Sequence, residues 1–228
     1  MKHKVYKISI IILCICNSFL LHAQTNIDTN IEDISVNNLS ENPQAMQYFM
    51  KAENFFTKNS YKKAAKFYKR AYDSDTNFVI ALDNLALSYR RLYKMDSAVV
   101  YYNKSLEKNE QNKTVLNNLG LVYTYIEQYD NAIAIYNTLF KYYPNDPQGN
   151  YNMALTYYYA QNYEQAIVYG KAAFDGWKHN DKTNALEAVY LVCKIYVESD
   201  DIDGAKLFYR EAAKQGMRNA KALRDFGL

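Results

Sequence analysis

The sequence predicts an all-α protein, an array of about five helix-turn-helix units closed by a short C-terminal helix. Three observations lead there. Seven glycines and three prolines in 228 residues cannot punctuate a β-sandwich or barrel, which needs a turn signal roughly every 8–12 residues. Small residues and aromatics return along the chain at a fixed spacing of 34, the mark of a repeat architecture. Polar breaks and prolines fall between the apolar stretches, where helices must end. The apolar content of 49% is enough for a real core, whereas three cysteines are too few for a disulfide scaffold.

The N-terminus stands apart from the array. Lys2, Lys4 and Lys7 precede an apolar run of 14 residues from Ile8 to Leu21, which fits the h-region of a secretory leader and is short for a membrane span. Leu21-His22-Ala23 then offers a cleavage site before Gln24, giving a signal peptide over 1–23, with an uncleaved anchor as the alternative. Cys14 and Cys16 lack the preceding small residue of a lipobox, since Leu13 and Ile15 stand there. Export is the expectation, to the periplasm, the outer membrane or the cell exterior. Residues 24–44 are Asn-rich and hold only Asp28, Glu32, Asp33 and Glu41 as charges. With no apolar period to bury, they read as a disordered acidic tether.

Charge excludes one function class. The formal +3 belongs to the leader, because removing its three lysines leaves 24 basic against 24 acidic residues. The tether is −4 and residues 45–228 are +4, too little to argue for nucleic acid.

The repeats are 45–78, 79–112, 113–146, 147–180 and 186–219, with Asp181 to Ala185 inserted before the fifth and a cap over 220–228. Aligned at these starts, Ala52, Ala86, Gly120, Ala154 and Cys193 share one column, and Ala64, Ala98, Ala132, Ala166 and Ala205 another. Phe55, Tyr89, Tyr123, Tyr157 and Tyr196 form an aromatic column; Tyr68, Tyr102, Tyr136 and Tyr209 form a second, broken by Gly170. Small residues let two antiparallel helices approach closely while the facing aromatic fills the space between successive pairs. Lys58-Asn59-Ser60, Glu127-Gln128 and Gln161-Asn162 supply turns within pairs, and Pro144 and Pro147 fall between pairs.

These columns resemble tetratricopeptide repeats over residues 45–219. The best copy is 113–146, with Leu116, Leu119-Gly120, Tyr123, Tyr129, Ala132, Tyr136 and Pro144 in the expected places. The resemblance implies a right-handed α-solenoid whose first helices line a concave groove for an extended or helical segment of a partner protein. Projected onto this chain, the groove set is Phe56, Arg90, Arg91, Asn117, Tyr125, Tyr151, Tyr158, Tyr159, Tyr190 and Lys194, flanked by Phe49, Glu53, Asp83, Leu87, Leu121, Thr124, Leu155 and Glu198. Tyrosine brings a large apolar face and a hydroxyl at small entropic cost, although several of these rings are ordinary packing positions of the family. Arg90-Arg91 reads as a solvated pair or as an anchor for an acidic group. The chaperone-type carboxylate clamp is not matched, because Asn84, Asn118 and Asn152 recur without the paired lysines; those amides read as caps or inter-helix hydrogen bonds.

Chemistry is sparse. Past residue 23 the chain has one histidine, His179, in a polar loop, and one cysteine, Cys193, in the small-residue column. No phosphate-binding glycine loop, nucleophile elbow or zinc-binding helix motif occurs. The expectation is a non-catalytic protein without cofactor or metal, a scaffold of the bacterial cell envelope that binds a protein or peptide and crosses no membrane after leader removal. A module that stacks envelope glycans on groove tyrosines is the alternative. Trp177 reads as an interface anchor or as packing over a helix end, and self-association through the array's ends is left open.

Overall fold

Eleven helices and no strand lie within residues 39–228, the part of the chain that the computed structural model describes. The leader expected over 1–23, and the tether up to residue 38, lie outside it. The helices are α1 (Pro43–Phe56), α2 (Tyr61–Ser74), α3 (Val79–Arg91), α4 (Met95–Lys108), α5 (Lys113–Tyr125), α6 (Tyr129–Tyr142), α7 (Pro147–Tyr159), α8 (Tyr163–Trp177), α9 (Lys182–Glu198), α10 (Ile202–Lys214) and α11 (Ala220–Phe226). Each odd-numbered helix packs on the even-numbered one after it, and each even-numbered one on the next pair. This is the all-α repeat array expected from the spacing.

The small columns are what bring the helices together. Ala52, Ala86, Gly120, Ala154 and Cys193 are buried, as are Ala64, Ala98, Ala132, Ala166 and Ala205. Tyr68, Tyr102 and Tyr136 are buried in the space these leave. A Cβ on Gly120 would lie 2.5 Å from Cζ of Tyr136, so even alanine is too large there. At Gly170, where the large aromatic is missing, a Cβ would lie 2.6 Å from Cγ2 of Val192 on α9. Glycine therefore replaces the ring because α9 itself fills the volume.

Every turn inside a pair is built alike. Asn59, Tyr93, Glu127, Gln161 and Asp200 all have positive φ, from 55° to 61°, and none is glycine. The following N–H reaches back to the carbonyl five residues earlier, as in Lys94 N to Tyr89 O at 2.9 Å and Gln128 N to Tyr123 O at 2.9 Å, the Schellman closure.

The entry to the array differs from the expected tether boundary. α1 begins at Pro43, because Asn42 caps it by accepting from the N–H of Gln44 at 3.0 Å and of Ala45 at 3.2 Å. Asn42 also donates to Ser74 O at 2.9 Å, and the Ser40 hydroxyl donates to Asp75. Residues 40–44 are thus part of the folded unit. The five inserted residues likewise do not form a loop. Asp181 accepts from the N–H of Asn184 at 3.0 Å, and the remainder supplies the first turn of α9. Ser40–Leu228 forms one compact unit, with α11 packed against α9 at its end.

Two substitutions test this construction. Gly120→Ala lowers unfolding free energy by about 1–3 kcal/mol through overpacking, read from urea midpoints at unchanged slope. Glu127→Gly relieves a left-handed non-glycine residue and raises it by about 0.5–1 kcal/mol; an unchanged midpoint in either variant contradicts the corresponding packing or strain argument.

Candidate functional site

The first helices share a face, and the places that position their side chains are the fifth and the thirty-fourth of each repeat. In the first three repeats the thirty-fourth residue stands at the N-cap of the next first helix and meets the fifth residue of its own repeat. In the first repeat the two are Phe49 and Phe78, ring centroids 4.8 Å apart. In the second they are Asp83 and Asn112, with Asn112 Nδ2 donating to Asp83 Oδ2 at 3.0 Å while its Oδ1 accepts from Val115 N–H at 3.1 Å. In the third they are Asn117 and Asp146, the same link with acid and amide exchanged. Asn117 Nδ2 donates to Asp146 Oδ2 at 3.2 Å, and that oxygen also accepts from Gly149 N–H at 2.8 Å.

This explains where several expected groove residues went. Asn117 is buried, accepts from Asn152 Nδ2 at 3.1 Å and so ties α5 to α7. Its role is to hold the face together. Asn84 likewise donates to Glu53 at 3.0 Å across the first joint, so two of the three recurring asparagines bridge helices. Phe56 is half-buried against Tyr61 and Tyr68, edge-on at 5.2 and 6.3 Å. Tyr151 is buried with its ring 5.6 Å from Trp177. Trp177 is thus a packing residue beside α7, not an exposed anchor. Tyr190 is covered by α11. Its ring lies 5.2 Å from Phe226, Lys221 Nζ stands 4.2 Å above it, and its hydroxyl donates to Asp225 at 3.2 Å. The cap reaches the groove through Lys221 and Asp225, which no repeat-based projection includes because the cap lies past the last repeat.

Two clusters remain among the expected groove residues. At the C-terminal ends of α3 and α5 stand Arg90, Arg91 and Tyr125. Arg90 is buried, which sets aside the solvated reading, and its charge acts on the hydroxyls of Tyr102, Tyr125 and Tyr136. Burial pushes the Tyr125 hydroxyl up to about 12 against the pull of that guanidinium. Burial also lowers Arg91, whose guanidinium lies 5.9 Å from the Tyr61 ring. Between the clusters Thr124 and Thr156 share a hydrogen bond of 2.7 Å.

The second cluster joins α7 to α9. Tyr158 and Tyr159 are half-buried, their ring centroids 5.2 Å apart, and Tyr163 adds a third ring 6.3 Å from Tyr158. The Tyr158 hydroxyl donates to Glu198 at 2.7 Å, Lys194 Nζ lies 4.8 Å from its ring, and Lys194 and Glu198 pair at 3.8 Å. The result is an aromatic floor bounded by a carboxylate and an ammonium at one end and by guanidinium groups at the other. Tyr163 opens an even-numbered helix and so escaped a projection restricted to first helices.

Reactive chemistry is scarce in the described residues, where no three His, Cys, Asp or Glu converge to hold a metal ion. Cys193 is buried, with Sγ 4.0 Å from Ala205 O, and burial raises its thiol to about 12, so little thiolate forms at neutral pH. His179 is exposed in the turn before α9. Among the described residues no helix is long and apolar enough to cross a membrane.

Two outcomes follow from these environments. Alkylation of the folded protein, read by peptide mapping, leaves Cys193 unmodified until denaturant is added; labelling at the rate of a free thiol contradicts its burial. Burial lifts the Asp83 carboxyl from 3.8 to about 6, against the donors Ser105 and Asn112. Between those values the folded state keeps a proton that the unfolded state has lost, so this group makes the protein less stable as pH rises through the window. The thermal midpoint of Asp83→Asn, relative to the parent, should therefore rise across it, and a flat or falling difference counts against the buried carboxyl.

The comparisons with known proteins agree with this geometry. No curated protein matches the sequence. The family model described as tetratricopeptide repeat matches residues 114–146. Among solved structures, the chain is similar to MamA from Desulfovibrio magneticus RS-1, at 18% identity and TM-score 0.67 over 78% of this chain and 97% of that one. It is also similar to BtubC from P. vanneervenii, at 17% identity and TM-score 0.65 over 75% and 78%. YrrB, described as a TPR protein with an unusual peptide-binding site, matches at 18% identity and TM-score 0.59 over 81% and 92%. Residues 114–146 are a tetratricopeptide repeat, and the chain has the helical-repeat fold of tetratricopeptide-repeat proteins.

Proposed function

We propose that the protein is a non-catalytic scaffold of the bacterial cell envelope that holds a segment of a partner protein along its concave face. The observation that carries this reading is the pairing of half-buried rings, Tyr125 on α5 and Tyr158 and Tyr159 on α7, with the Lys194–Glu198 pair at one end of the face and the Arg91 guanidinium at the other. Apolar or aromatic side chains of a partner would lie on the rings, and a carboxylate would meet Arg91 or Lys194. The peptide-binding site named for YrrB supports a peptide as occupant of such a face. The basic leader with its apolar run supports export, with removal of residues 1–23.

Pull-down from envelope extract, compared with a Tyr125→Ala/Tyr158→Ala/Tyr159→Ala variant, tests the groove. The parent retains a protein that the variant loses at unchanged helical content. Retention of glycan alone refutes the peptide reading and supports ring stacking on sugars. N-terminal sequencing of the protein from its native host tests export, starting at or near Gln24, and an intact Met1 refutes cleavage.

A further inference from the structure

The even-numbered helices turn outward a surface whose composition changes along the array. α2 exposes Lys62, Lys63, Lys66, Lys69 and Arg70 and carries one carboxylate, Asp73, which pairs with Lys69 at 2.6 Å. Residues 43–74 hold seven cations and two carboxylates, a charge of +5, so the whole excess of the array sits in its first helical pair. The second carboxylate, Glu53, is turned inward to Tyr68 and Asn84. Among the described residues no carboxylate lies within ion-pair distance of Lys62, Lys63, Lys66 or Arg70.

Lys66 occupies the twenty-second place of its repeat, and the later repeats hold Val100, Ala134, Val168 and Leu207 there. Val100, Val168 and Leu207 are 49%, 55% and 60% exposed. Equal places in successive repeats share a face, so these side chains form a line along the outside of the even-numbered helices. Stacked, half-exposed aromatic pairs from the eleventh and twenty-third places flank that line. They are Phe55 with Phe67 at 5.4 Å, Tyr89 with Tyr101 at 5.4 Å and Tyr157 with Tyr169 at 5.5 Å. Cations stand over the first two pairs, Lys63 5.3 Å from Phe55, Arg70 5.5 Å from Phe67 and Lys104 5.4 Å from Tyr101.

The chemistry of the strip selects among anionic partners. A nucleic acid would use open ring faces for stacking, but these rings spend their faces on one another and on the cations. Protruding aliphatic tips likewise have no use against a phosphodiester backbone. At a bilayer each part has a use. Valine and leucine tips enter the headgroup boundary, tyrosines sit at its level, and lysines with stems on apolar surface reach anionic headgroups. We propose that the outer face of the even-numbered helices docks the array on an anionic lipid surface, with the first helical pair making the principal electrostatic contact. This docking uses a different face from the concave groove.

Residues 40–228, which form one compact unit, serve for the test because they lack the leader. Co-sedimentation is measured with phosphatidylcholine vesicles with and without phosphatidylglycerol. Binding is expected only with phosphatidylglycerol and should weaken as salt is raised. Lys63→Gln/Lys66→Gln/Arg70→Gln weakens it about a hundredfold. Val100→Ser/Val168→Ser/Leu207→Ser removes the portion that survives high salt. Both variants alter exposed side chains, and far-ultraviolet circular dichroism confirms their fold. Absence of binding to phosphatidylglycerol vesicles, equal binding to pure phosphatidylcholine, or a glutamine variant that binds like the parent overturns the proposal. Tighter binding to heparin or to a single-stranded oligonucleotide than to vesicles overturns it in favour of another polyanion.

Discussion

Everything along this array depends on how closely the two helices of a pair approach. An alanine or glycine on one helix faces the ring of a tyrosine on the other, and the contact leaves no room for a methyl group at Gly120. Close approach fixes the angle and offset of the pair, and repetition of the same contact fixes where the next pair must lie. The even spacing of the first helices is a consequence, and so is the shared face that presents Tyr125, Tyr158 and Tyr159. A surface made this way needs no loop to build it. The turns inside each pair are held by non-glycine residues in a left-handed conformation, and they act as corners with one fixed shape.

The fold was legible because this contact imposes a strict period on residue type. Small and aromatic columns can be read off the sequence without knowing a single contact, and the second, third and fourth repeats begin where α3, α5 and α7 begin. The inserted Asp181 to Ala185 shows the limit. A break in the period marks that residues have been added, but whether they loop out or prolong a helix depends on a local cap, here Asp181 against Asn184. The Pro43 start of α1 has the same origin, with Asn42 as the cap.

The site was less legible, for a different physical reason. A repeat ruler assigns a side to each position, and in the structure Tyr158, Lys194 and Glu198 come together. It cannot say what else reaches that side. Tyr190 points as projected and is then covered by Phe226 and Lys221 of the cap. Tyr151 is taken up by Trp177 at the one place where the array departs from its period. Net charge misled in a related way. A sum of +4 over residues 45–228 hides a first pair of +5, because addition along a chain discards where on the surface each charge stands.

The link between the fifth and thirty-fourth places has a consequence for how this chain can change. Phe49 meets Phe78, Asp83 meets Asn112, and Asn117 meets Asp146; each repeat closes with its own chemistry. In these three repeats the thirty-fourth residue also stands at the N-cap of the next first helix, so each hands its successor a specific start. Repeats that share one backbone are therefore not exchangeable parts. Moving the second repeat's first helix into the first repeat would set a carboxylate against the Phe78 ring, and the buried acid would lose its donor. Duplication of a whole repeat carries its link with it, whereas recombination within a repeat breaks it, so the boundaries along which such an array lengthens or shortens lie between repeats and not between helices.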